Sequence, residues 1–198
     1  MERNQHQLAI RAGLRKFHSP ASLQPCRQIC PPIPQQLSCS EMPKISAIVH
    51  TRNDAPRLGR LLETLRPCDQ VLIIDDSTDD SVQKVAHEYG AALRKCISGV
   101  TPGAYAMDAI HEWILCVLPN ESLSEGLEAS LFSWKEGEPK REDLFAMTIR
   151  EEKEGQWSEL SSEVRLINRR CVNWTGMMPP NLEGAFVLPG HLLRFDHP

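Results

Sequence analysis

The sequence predicts an α/β domain on a mostly parallel sheet, and three observations carry that reading. Short apolar runs at Ile45–His50, Val71–Ile74 and Trp113–Leu118 each end in a polar turn, as buried strands do. Helical patterns follow the first two, so strand and helix alternate as βαβ units with right-handed crossovers. Beyond residue 143 short strand-like runs recur without strong helices between them, which adds a mixed or antiparallel extension.

Taken in order, Ile45–His50 closes in the turn Thr51-Arg52-Asn53-Asp54. Leu58, Leu61, Leu62 and Leu65 then fall on one helix face, and Pro67 stops that helix. Val71–Ile74 ends in Asp75-Asp76. Ser77 reads as the cap of the next helix, with Asp79 and Asp80 at its positive end and Val82, Val85, Ala86 and Tyr89 facing inward. Gly90 closes it. Ala91–Cys96 reads as a weaker strand, Gly99–Gly103 as a loop and Ala104–His111 as a short helix. After the Pro119 turn, Ser122 and Glu125 form a capping-box pattern ahead of a helix face of Leu123, Leu127, Leu131 and Trp134. Lys135–Glu142 is a charged connection. Leu144–Ile149, Val164–Ile167 and Phe186–Leu188 read as strands, and Asn173–Glu183 as a Pro-interrupted loop. Trp134, Trp157 and Trp174 suit either the core or a sugar-stacking role, with the core as the default.

Composition bounds the function. With 198 residues, 41% hydrophobic and 24% charged, the chain suits one globular domain, placed at residues 44–198. Residues 1–43 are Gln- and Pro-rich and contain Cys30-Pro31-Pro32-Ile33-Pro34, which packs in neither helix nor sheet. They read as a disordered leader, as a targeting peptide carrying Leu8, Ile10, Leu14 and Phe17 beside basic residues, or as a mis-called extension upstream of Met42. A net charge of -4 and pI near 6.0 argue against a nucleic-acid binder. Seven scattered cysteines without a paired zinc pattern suit a reducing cytoplasm, and Cys116, inside an apolar run, suits a small hydrophobe. No apolar run has the length of a membrane span, so any membrane contact is expected to be peripheral.

The loops Thr51–Asp54, Asp75–Ser77, Thr101–Gly103 and Leu118–Glu121 would gather at the carboxyl ends of the strands, where open α/β sheets bind ligands. A carboxylate there can accept from a nucleobase N–H or a ribose hydroxyl, and paired carboxylates beside a pyrophosphate can share a divalent cation. Asp75-Asp76-Ser77 equally suits a plain turn and helix cap.

Ile45-Ser-Ala-Ile-Val-His-Thr-Arg-Asn53, Val71-Leu-Ile-Ile-Asp-Asp-Ser-Thr-Asp79 and Trp113-Ile-Leu-Cys-Val-Leu-Pro-Asn-Glu121, in this order, resemble the family 2 glycosyltransferases of GT-A fold, especially the lipopolysaccharide-core type. The resemblance covers about residues 44 to 135. It implies a Rossmann-like, mostly parallel sheet with a mixed C-terminal extension and a nucleotide-sugar site. Thr51 and Asn53 would lie beside the nucleotide, and Asp75 or Asp76 would reach the base, since the Gly that the family places after its acids is missing. In the family an Asp-x-Asp-Glu sequence holds Mg²⁺ or Mn²⁺ against the sugar diphosphate. The matching positions here are Leu118, Pro119, Asn120 and Glu121, so the metal site is expected to be impaired. Asn120, Glu121 and a late histidine, His197, are the remaining ligand candidates. Glu183 is the candidate for the base that activates an acceptor hydroxyl.

The expected activity is transfer of a sugar from a nucleotide-diphosphate donor to an envelope glycan or lipid-linked acceptor. A second reading is a catalytically inactive GT-A domain acting as a nucleotide- or protein-binding module. A third, an unrelated nucleotide-binding α/β domain, would show a different strand order.

Overall fold

The computed structural model describes residues 42–137, 142–171 and 173–197. The leader expectations for residues 1–41 lie outside the described residues. Among the described residues eight strands form one sheet: β1 (Ile45–Thr51), β2 (Gln70–Asp75), β3 (Ala92–Lys95), β4 (Trp113–Val117), β5 (Glu121–Leu123), β6 (Leu144–Lys153), β7 (Gln156–Asn168) and β8 (Phe186–Arg194). Their order is β3-β2-β1-β4-β7-β6-β8-β5. The pairs β3-β2, β2-β1, β1-β4 and β6-β8 are parallel, while β4-β7, β7-β6 and β5-β8 are antiparallel. The expected mostly parallel sheet with a mixed extension is present.

Burial explains why β1, β2 and β4 were readable. Each is apolar and closed in on both faces, with Leu72 and Ile74 packing on one side of β2 and Ile73 on the other. Helix α1 (Ala55–Thr64) starts with Pro56 in its first turn, where a missing N–H is harmless, and buries Leu58, Leu61 and Leu62. Helix α2 (Ser81–Glu88) buries Val82 and Ala86, and α3 (Glu125–Glu136) buries Leu127, Leu131 and Trp134. Trp134 stands edge-on to Trp113 at 4.8 Å, and Phe145 lies 5.6 Å from Trp134, so one aromatic nest joins α3 to β4 and β6.

Several local expectations are corrected. The residue preceding α2 is Asp80 rather than Ser77, whose hydroxyl instead accepts from the Asn53 N–H. Ser124, not Ser122, caps α3 by accepting from the Leu127 N–H at 3.3 Å, because Ser122 belongs to β5. Tyr89 is 40% exposed and hydrogen-bonds Glu63 rather than facing inward. Ala104–His111 is replaced by a 3₁₀ helix over Pro102–Asp108. The strands β6 and β7 run far beyond their apolar halves, joined through Glu154 and Gly155 at φ 51° and 74°, the double positive φ of a tight hairpin turn. Trp157 sits exposed on that hairpin rather than in the core, Trp134 is buried and Trp174 is partly buried.

Candidate functional site

Parallel pairing of β1 with β2 sets Thr51 directly opposite Asp75, so the two loops that follow leave the sheet side by side. Asn53 ties them together. At φ 53° it adopts the left-handed conformation that Asn tolerates; its N–H donates to Ser77 Oγ at 2.8 Å and its Oδ1 accepts from the Thr78 N–H at 3.1 Å. Thr51 is buried, and its Oγ1 has no hydrogen-bond partner among the described residues.

The two acids at the end of β2 have different environments. Asp75 is 1% exposed; its Oδ2 accepts from Lys95 Nζ at 2.7 Å and its Oδ1 from the Ser77 N–H at 2.9 Å. Burial alone would raise its pKa, but Lys95 and Ser77 hold the carboxyl below the usual range. Asp76 has a 58% exposed side chain with Arg52 nearby at 3.7 Å. Lys95, at the end of β3, was not singled out from the sequence; its signal is that β3 runs parallel to β2 with Lys95 opposite Asp75. On the other face, Tyr105 accepts from the Ile97 N–H and stands edge-on to His50 at 5.9 Å. Burial holds the His50 imidazole below its usual pKa, against an opposing hydrogen bond to the Pro102 backbone.

The depressed pKa of Asp75 gives a signed prediction. Its folded value lies below the unfolded one, so its contribution to stability is present above about pH 4 and is lost as pH falls through the folded value. Urea midpoints measured across acidic pH should therefore fall less steeply in Asp75→Asn than in the wild type. Equal slopes would show that Lys95 does not hold the ionised form.

The loop after β4 is closed on itself. The Glu121 N–H donates to Leu118 O at 3.0 Å, and the Leu118 N–H donates to Glu121 Oε2 at 2.8 Å. The Glu121 side chain has no exposed surface. Arg165, also fully buried, clamps it with Nη2 at 2.8 Å from Oε1 and Nη1 at 3.1 Å from Oε2. Arg165 further donates to Cys116 O at 3.2 Å and to Glu163 Oε2 at 2.7 Å. Arg194, the cross-strand partner of Glu121 in β8, reaches Glu121 Oε1 at 2.9 Å. Asn120 is occupied as well: its Nδ2 donates to Phe195 O at 3.2 Å and its backbone O accepts from the Phe195 N–H at 2.9 Å.

These residues do not fit a divalent cation. Leu118 has no side-chain oxygen, Asn120 is engaged with the backbone of Phe195, and both oxygens of Glu121 are held by guanidinium groups. Ion pairing buries the Glu121 side chain, whereas Asn120 is half-buried and tied to the Phe195 backbone. His197 has an 84% exposed side chain, with Asp196 at 3.9 Å. Among the described residues no group of three or more His, Cys, Asp or Glu is arranged to hold a metal. Sequence reasoning missed Arg165 and Arg194, since neither belongs to a motif.

Glu183 is exposed on the loop before β8. Cys116 is buried and its thiol pushed up to about 12 by desolvation, as an inert core residue should be. An open apolar cavity of about 510 Å³ lies between α3 and the β6–β8 strands, lined by Trp134, Phe145, Phe186 and Leu188, away from the Thr51 and Asp75 loops.

No family model matches the chain. It is 33% identical over 92 residues to an uncharacterized glycosyltransferase of Rickettsia felis, covering 44% of this chain and 32% of that protein. A second uncharacterized glycosyltransferase, RC0292 of Rickettsia conorii, is 30% identical over 90 residues, covering 43% of this chain and again 32% of the relative. The chain therefore spans about a third of the length of the curated relatives it matches. Among solved structures, a mycobacterial protein is similar with a TM-score of 0.51 at 12% identity, over 77% of this chain and 65% of that one. Four parallel strands in the order β3-β2-β1-β4, continued by an antiparallel and mixed extension, complete the comparison. The fold is of GT-A type. Among the described residues no helix is long and apolar enough to cross a membrane.

Proposed function

We propose that this domain is the nucleotide-binding part of a glycosyltransferase and takes a nucleotide-diphosphate sugar at the carboxyl edge of β1 and β2. The observation that carries the reading is the convergence of Thr51, Asn53, Asp75 and Asp76 there. The names of the two rickettsial relatives support the reaction class. Asp76, the exposed acid, reaches the base, while Asp75, held by Lys95 and Ser77, fixes the loop that presents it. The acceptor is an envelope glycan or a lipid-linked sugar, met from the cytoplasmic side with at most peripheral membrane contact.

A screen of nucleotide sugars for thermal stabilisation and for donor hydrolysis, with and without Mn²⁺, tests this reading. At least one donor should stabilise the protein, by about 2.7 kcal/mol at a hundredfold excess over Kd. Asp76→Ala should weaken nucleotide binding about tenfold while leaving the melting temperature of the free protein unchanged, because the side chain is exposed. Absence of stabilisation by every donor would sink the proposal.

The closed Leu118–Glu121 loop favours a second reading, a catalytically inactive GT-A domain that binds nucleotide or protein. Stabilisation by a donor without hydrolysis or transfer to any acceptor would select it.

A further inference from the structure

Two guanidinium groups, those of Arg165 and Arg194, lie against Glu121 in the loop after β4. We propose that Arg194 serves in place of the metal ion, binding the diphosphate of the donor directly, so that donor binding is independent of divalent cations; this rests on the β1–β2 edge being the donor site.

Arg165 and Arg194 play unequal parts. Arg165 has no exposed surface and spends its Nη1 and Nη2 on Glu121, Glu163, Cys116 O and Met178. Its bidentate clamp already satisfies the Glu121 carboxylate. Arg194 is a second cation on the same oxygen, using Nε at 3.2 Å and Nη2 at 2.9 Å. Its Nη1 makes no hydrogen bond among the described residues, its side chain is 19% exposed, and its contact with Glu163 is long, at 3.5 Å. Arg194 is therefore the member of the network with donors to spare and a route to solvent.

Its position is also right. Arg57, in the first turn of α1, donates from Nη2 to Asp196 O at 3.1 Å, so the end of β8 is tied to the helix that begins immediately after Thr51–Asp54. The Arg57 Nε is itself buried without a hydrogen-bond partner among the described residues. A diphosphate reaching from the Thr51–Asn53 loop toward Leu118 would meet the Arg194 fork, whose planar N–H pairs match phosphate oxygens and need no metal. Glu163, partly exposed, keeps its shorter bond to Arg165 when Arg194 turns to the ligand.

Calorimetric titration of the full chain with UDP and GDP, each in EDTA and in MnCl₂, tests the proposal, with uridine and guanosine as phosphate-free controls. The diphosphate that binds should do so equally in both buffers. Arg194→Gln should lower its affinity about tenfold or more while leaving nucleoside affinity unchanged, and Arg194→Lys should recover part of the loss. A nucleoside diphosphate that needs Mn²⁺, or one that binds Arg194→Gln as tightly as the wild type, overturns the proposal. So does a wild type that binds nucleoside and diphosphate equally, which leaves the donor-site reading standing. If neither nucleoside nor diphosphate binds, the donor-site reading itself falls and takes the proposal with it. Where Arg194→Gln fails to fold, the comparison of EDTA with MnCl₂ in the wild type and the Arg194→Lys affinity decide.

Discussion

Glu121→Ala is expected to lower the unfolding free energy by about 3–5 kcal/mol, because it strands a guanidinium in the interior. Arg165 is fully buried and Glu121 is the carboxylate that engages both of its terminal nitrogens. Glu163 remains, through one bond at 2.7 Å, but it is partly exposed and cannot replace the fork. The Leu118 N–H loses its acceptor in the same step, which opens the turn after β4. Urea denaturation at neutral pH, read as the midpoint at constant slope, measures the effect. An exposed acid waiting for a metal would behave oppositely, with stability unchanged or improved on removal. A loss below about 1 kcal/mol would therefore restore Glu121 as an open loop residue. The double replacement Glu121→Leu with Arg165→Met should recover much of the loss, since removing both charges leaves no unpaired ion.

Gly190→Ala should cost on the order of 3 kcal/mol, from backbone strain and overpacking together. Gly190 has φ +97°, and a Cβ there would lie 2.4 Å from Leu127 N and 2.7 Å from Gly126 C, both backbone atoms at the start of α3. The register between β6 and β8 shifts at this point, from Met147 opposite Leu188 to Thr148 opposite His191, so the strand bulges toward the helix. Ser124 Oγ, which caps α3, also accepts from the His191 N–H at 3.0 Å. Only a residue without a side chain permits that approach. The melting temperature should fall by about 6–12 °C for a chain of this size. Gly184→Ala is the control: its φ is +86° with no atom within 4 Å of the added Cβ, so strain alone acts and about 1 kcal/mol is expected. Equal losses at the two positions would show that contact with α3 is not what Gly190 serves.

How much was legible follows from what each residue depends on. The strands β1, β2 and β4 and the inner faces of α1 and α3 were visible because their burial writes a local apolar period. The outer halves of β6 and β7 were not. Gln156–Ser161 is exposed and carries no apolar alternation, so only pairing with β6 makes it a strand. The three-residue strand β5 was also missed: Glu121–Leu123 is too short for a period, and its place is set by β8, about seventy residues later. For the same reason the pattern around Ser122 looks locally like a helix cap, though the residue belongs to β5.

At the candidate site the division is similar. The meeting of Thr51, Asn53, Asp75 and Asp76 could be expected from the sequence, because residues just past successive parallel strands must emerge together at one edge. Which of the two acids is exposed could not, since Asp75 is covered by Lys95 from β3.

The sequence by itself determined the βαβ core, the polar loops at its carboxyl edge and the absence of a carboxylate at positions 118 and 120. These follow from residue type and local spacing. Only the tertiary structure decided what became of Glu121. Its partners Arg165 and Arg194 stand 44 and 73 positions away along the chain. Charge pairing acts through space, so a carboxylate that a motif would assign to a metal is given instead to two arginines brought in by β7 and β8.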